Sequence, residues 1–263
     1  MTDETPRTTT ASLPARMGAR WVTEGDQVSG YVDVLTEQCG HGVVRLSVLA
    51  MLVDTVAGMA ADQRAGEDWT FTADLSLRWS PRPIQRIDAA PTVLREGGRG
   101  ITVDVPMFDV DGQRIGAGVS TFSRLARREG DPEKVGFTDR PSIEWPTPEA
   151  PLDELLAPRR TDVGLELDLR PEVLNPALVL QGGVAALLAE LAAQHTLEAA
   201  TGLRLVGTGM DIRYVSMGRV GPIRTVVDVI GVPGDLKAQV QLRDVGQDDR
   251  VVTHNLIGFA PAP

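Results

Sequence analysis

Two isolated carboxylates carry the chemistry that this sequence offers. Asp54 is the sole charge from Leu46 to Ala61, and Glu190 is the sole charge from Gly183 to Gln194. A helix that is apolar all round is a buried helix. An acid inside it must be paired, neutralised or put to use. Poor solvation raises the pKa of such a carboxyl, which suits it to act as a general base or a nucleophile. Ahead of Glu190 runs Asn175-Pro176 and then Gln181-Gly182-Gly183. Paired glycines before a helix let the backbone approach a ligand closely. The free N–H groups of the first helical turn favour partial negative charge. The stretch is therefore an oxyanion-type cradle on a core helix. A packed Ala/Leu helix behind a glycine turn has the same composition, so this stretch alone does not decide between packing and chemistry.

The elements that must hold these residues recur twice. Trp21 to Leu35 reads as strand, Val43 to Ala61 as an apolar helix, and Trp69 to Trp79 as a Thr- and aromatic-rich strand. Ile87–Arg95, Ile101–Asp109 and Arg114–Phe122 read as further strands, with Asp111-Gly112 as a hairpin turn. Residues 127–160 carry six prolines and no sustained period, and read as a linker crossing the surface. Beyond it the pattern restarts: strand Val163–Leu169, a helix in Asn175–Gln194, and strands Val206–Val215, Ile223–Val232, Lys237–Asp244 and Arg250–Phe259.

The halves align at an offset near 136 residues. Asp54 then matches Glu190, Arg45 matches Gln181, and Arg78-Trp79 matches Arg213-Tyr214. A sheet wrapped round one central helix explains why each helix is apolar on every side. The divisions expected are a disordered tail at 1–17, one unit at 18–126, the linker at 127–160 and a second unit at 161–263.

Composition narrows the function. The formal net charge of −10 argues against nucleic acid as a partner. A single cysteine, Cys39, excludes an internal disulfide and a cysteine-based metal site. His41, His195 and His254 show no metal-ligand spacing, so no metal is expected. The Thr-rich start lacks the apolar core of a signal peptide. The apolar runs are too short to span a bilayer and are interrupted by acids. A cytoplasmic location is the expectation, with homo-oligomerisation left open.

Asn175-Pro176, Gln181-Gly182-Gly183 and Glu190 together resemble the Asn-Pro, His-Gly-Gly and Asp/Glu signature of hotdog-fold acyl-CoA thioesterases. The first half resembles it through Gly42, Val44, Leu52-Val53-Asp54-Thr55 and Thr72-Ala73-Asp74-Leu75. The likeness covers roughly residues 18–125 and 161–262. It implies an α+β double hotdog: two antiparallel sheets, each wrapped round one long central helix and joined edge to edge. It identifies the fold better than the reaction.

The resemblance also implies a site shared between halves. Asn175, Gln181 (where His is usual) and the Gly182 amide would come from the second half, Asp54 and Thr72 from the first. Gly183, Arg45 and Glu190 would line the substrate. The reciprocal site reads as degenerate, with Cys39, Arg45 and Leu46-Ser47 at the Asn, His and Gly-Gly positions, and Gly207 or Thr208 at the hydroxyl position. The expected activity is hydrolysis of an acyl-CoA or acyl-carrier thioester without a cofactor. A hydratase or dehydratase, and an acyl-thioester-binding protein without catalysis, remain alternatives. Gln181, which cannot titrate, keeps the last of these open.

Overall fold

The computed structural model describes residues 12–127, 146–175, 177–231 and 234–263. Most of the expected tail and the middle of the expected linker lie outside the described residues, as does Pro176. Among the described residues the strands form one 13-stranded antiparallel sheet and a separate two-stranded ribbon.

The first half supplies β1 (Arg20–Glu24), β2 (Gln27–Asp33), the ribbon β3 (Cys39–Gly40) and β4 (Val43–Val44), helix α2 (Leu46–Ala65), β5 (Trp69–Trp79), β6 (Arg86–Ala89), β7 (Thr92–Gly97), β8 (Gly100–Phe108) and β9 (Arg114–Leu125). The second half supplies β10 (Arg159–Thr161), β11 (Gly164–Leu167), helix α4 (Gly182–Thr201), β12 (Leu205–Tyr214), β13 (Ile223–Ile230), β14 (Lys237–Asp244) and β15 (Arg250–Pro261). Two short helices, α1 (Leu13–Arg16) and α3 (Leu152–Leu156), complete it. Across the sheet the strands run β1-β2-β6-β8-β9-β5-β12-β15-β14-β13-β11-β10, with β7 paired to β8.

The halves meet where β5 pairs antiparallel with β12. Arg78 faces Gly209, Leu77 faces Met210, Ser76 faces Asp211, Leu75 faces Ile212 and Asp74 faces Arg213. The shift that carries Ser76 onto Asp211 carries every one of these pairs onto another, so a local two-fold passes through Ser76–Asp211. Both strands also bulge at matching places, β5 between Thr72 and Asp74 and β12 between Gly207 and Gly209. The structural mate of Thr72 is therefore Gly207, which removes the ambiguity with Thr208.

Helix α2 packs on β2, β5, β8 and β9, helix α4 packs on β11 to β15, and the two helices pack on each other. This burial on several sides is what their uniformly apolar sequences require. At 20 residues, α2 is longer than the sequence pattern indicates and has the length and hydropathy of a membrane span. Most of that apolar surface is covered by the sheet and α4, as in the core helix of a folded domain.

Helix α4 starts at Gly182, at the glycine turn that the sequence sets before it, and Asn175 builds the loop ahead: its Oδ1 accepts the Ala177 and Val179 amides at 2.9 and 3.3 Å. Three boundaries differ from expectation. Helix α4 then runs past Gln194 to Gly202, whose left-handed φ of 71° closes it. The visible end of the linker is not a surface crossing. Leu152 and Leu156 of α3 are fully buried, and Arg170 donates to the carbonyls of Leu155 and Leu156, both at 2.8 Å. The end of the expected tail is likewise docked, with Leu13 and Met17 in the core.

Candidate active site

Helices α2 and α4 lie antiparallel, and their contacts set the register of the site. The Glu190 carboxylate on α4 accepts the Leu46 amide at 2.9 Å and the Ser47 amide at 2.8 Å. These are the first two amides of α2, left without helical partners by position. Further along, Met51 of α2 meets the start of α4: Gln181 Nε2 donates to Met51 Sδ at 3.4 Å, and a Cβ on Gly183 would collide with Met51 Cε. By the repeat symmetry Asp54 is the mate of Glu190 and Gly182 the mate of Leu46, and the charge of Asp54 is felt at Tyr214, which bonds Gly182.

Asp54 accepts a hydrogen bond from the Thr72 hydroxyl at 2.8 Å. Its pKa is raised to about 6, chiefly by burial, with the Thr72 bond pulling the other way. Solvent still reaches Asp54, Thr55 and Thr72 in part. The result is a largely buried carboxyl with a raised pKa, held by one hydroxyl and partly reached by solvent.

Gln181 is the N-cap of α4, and its Oε1 accepts the Val184 amide at 2.9 Å. The first helical bond of α4 joins the Ala185 amide to the Gln181 carbonyl, so the Gly182 and Gly183 amides stand before the helical ladder. Leu46 and Ser47 are the corresponding amides of α2, and a carboxylate occupies them. The start of α2 thus holds a carboxyl side chain at the two amides that correspond to those of Gly182 and Gly183. Asp54 is a methylene shorter than Glu190 and is bonded to Thr72.

The reciprocal position is filled. Besides Glu190 in the cradle, Leu46 lies against Gly207, where a Cβ would fall 3.0 Å from the Leu46 Cβ. Trp79 Nε1 donates to the Gly207 carbonyl at 2.8 Å. A narrow cleft remains there, lined by residues that include Arg45, Glu190, Gln194 and Gly207. Arg45 is buried but not paired with Glu190, whose oxygens already hold the α2 amides. It bonds Gln194 Oε1 and Asp153 Oδ1, each at 3.2 Å. Arg45 and Glu190 therefore sit roughly 12 Å from Asp54 and Gly182, counted along the helices.

One residue at the Asp54 end has no role in the sequence reading. Tyr214, at the end of β12, donates its hydroxyl to the Gly182 carbonyl at 3.3 Å. Its pKa is raised well above the usual phenol range, first by burial and then by the Asp54 charge. The repeat alignment matches Tyr214 to Trp79, but only the folded structure shows that it reaches the start of α4, the helix of its own half.

The chain matches no protein-family model and no curated protein. Solved structures match it over nearly their whole lengths. An acyl-ACP thioesterase from Bacteroides thetaiotaomicron is 14% identical, with 89% of this chain and 98% of that chain covered and a TM-score of 0.64. A tesB protein of Mycobacterium avium subspecies paratuberculosis is 14% identical, covering 95% and 98%, with a TM-score of 0.59. A protein from Alicyclobacillus acidocaldarius described as having the hot dog fold is 12% identical, covering 95% and 98%, with a TM-score of 0.61. The chain has the hotdog fold.

Proposed function

We propose that this protein hydrolyses an acyl thioester, CoA- or carrier-linked, at one composite site between tandem hotdog units at 18–126 and 161–263, each a half-sheet curved round its own helix. The observation that carries the reading is the asymmetry of the two helix starts. At one, Glu190 lies bonded to the amides. At the other, among the described hydrogen bonds no protein group accepts from the Gly182 and Gly183 amides, and the repeat mate of Glu190 is a shorter acid, Asp54, whose pKa is raised to about 6 and whose partner is Thr72.

In this mechanism the thioester carbonyl oxygen points at the Gly182 and Gly183 amides. Asp54 takes a proton from a water as that water bonds to the carbonyl carbon. The amides stabilise the resulting oxyanion; losing one such donor typically lowers the rate by about 10²–10³-fold. Collapse breaks the C–S bond, and the proton held by Asp54 passes to the departing thiolate. Thr72 fixes the carboxylate. Asn175 shapes the loop before α4, and Gln181 caps the helix that carries the cradle. The reaction calls for no cofactor. The same assignment favours a cytoplasmic enzyme of acyl metabolism.

The nearest competitor is a binding protein without turnover. It is favoured by Gln181, whose amide is engaged by Val184 and Met51 and cannot titrate. A hydratase reading is disfavoured because His41 bonds Glu198 at 2.7 Å, on the Arg45 and Gln194 side. A panel of acyl-CoA and acyl-carrier thioesters with free-thiol detection, wild type beside Asp54→Asn, separates turnover from binding.

A further inference from the structure

We infer that Tyr214 is a positioning residue of the composite site, acting by pinning the Gly182–Gly183 peptide whose N–H faces the thioester oxygen. The inference rests on the thioesterase reading and assigns the oxyanion cradle a support of its own.

The Tyr214 hydroxyl donates to the Gly182 carbonyl at 3.3 Å. That carbonyl and the Gly183 N–H are the two ends of one planar peptide. A bond accepted at the carbonyl fixes the plane and polarises the amide, which makes the N–H a better donor. The contact is close on the other side as well: a Cβ on Gly182 would fall 3.0 Å from the Tyr214 hydroxyl and 3.3 Å from its Cζ. The glycine thus lets the ring lie on the backbone. Burial and the neighbouring Asp54 charge both keep the hydroxyl protonated, so it remains a donor wherever Asp54 is ionised.

The other half supplies an internal contrast. Trp79 stands at the place of Tyr214 but donates to Gly207 and not to the start of α2. There the Leu46 and Ser47 amides are held by Glu190. The two helix starts are therefore held differently. Glu190 holds the closed cradle from the front, where substrate would bind. Tyr214 bonds the other at the Gly182 carbonyl, and among the described hydrogen bonds no protein group accepts from the Gly182 or Gly183 N–H.

The test compares wild type, Tyr214→Phe and a variant with 4-aminophenylalanine at position 214, which restores a donor. The thioester used is the best substrate from the acyl panel. Affinity for a trifluoromethyl ketone analogue of that acyl-CoA is measured in parallel, with thermal melts as a control for folding. The expected result is a kcat lower by about tenfold or more in the Phe variant, less than the loss of an oxyanion donor itself. KM should stay within about twofold, analogue affinity should fall in step with kcat/KM, and the amino variant should recover part of the loss. Wild-type kcat in the Phe variant overturns the inference and leaves the thioesterase reading standing. So does a loss that raises KM alone, or one that the amino variant does not relieve. Absence of turnover in wild type on every thioester overturns the thioesterase reading, and this inference with it.

Discussion

Asp54 and Glu190 stand at matching places on the two central helices, yet Glu190 holds two backbone amides of the facing helix while Asp54 is bonded to a threonine hydroxyl. One methylene and one hydroxyl separate a structural acid from a candidate catalytic one.

Glu190→Gln tests the structural half. Replacing the carboxylate with an amide leaves the Leu46 and Ser47 amides with one good acceptor between them. The expected loss is about 1–3 kcal/mol of stability, from charge-assisted bonds to buried donors. Thioester turnover should stay within about threefold, since the substituted side chain lies roughly 12 Å from Gly182 along α4. Denaturant melts and steady-state rates check both parts, and a stable but inactive variant would place the chemistry at the wrong end of the helices.

Asp54 should also cost stability, with a definite sign. Its folded pKa is raised from 3.8 to about 6, so the folded state favours the neutral form. The stability that the neutral form contributes is fully present below the unfolded pKa and is lost as the pH rises through about 6. Asp54→Asn, neutral throughout, should then exceed wild type at pH 8 by about 3 kcal/mol. The difference should vanish by about pH 4. A gap that widened on acidification would show that burial is not what perturbs this carboxyl.

Thr72→Val keeps the strand and removes the hydroxyl. Because that hydroxyl bond lowers the Asp54 pKa against the effect of burial, its loss should raise the pKa further. The acidic limb of the kcat/KM profile, expected near pH 6 in wild type, should move to higher pH. A limb that stayed in place while the rate fell would assign Thr72 to the water and not to the carboxylate.

Much of this was readable in the residues. The lone acids on apolar helices, the Gly182-Gly183 pair and the strand Trp69–Trp79 all follow from local pattern, and the structure sets Asp54 and Thr72 in one hydrogen bond. What escaped depends on chain segments meeting. Arg45 finds Asp153 in a stretch whose prolines conceal a docked helix. The Glu190 contact requires the antiparallel register of two helices, and the Tyr214 contact requires the end of β12 to lie beside the start of α4. No periodicity in either half encodes those distances.

Thiol release from a panel of acyl-CoA and acyl-carrier thioesters, followed for wild type and Asp54→Asn, tests the central claim most directly. Asn keeps the shape of Asp and cannot take a proton from water. The account predicts turnover of at least one thioester by wild type, rising through about pH 6. It predicts a kcat about 10²–10⁴-fold lower in the variant, with the fold intact. Equal rates in the two proteins, or thioester binding without thiol release by wild type, would contradict it.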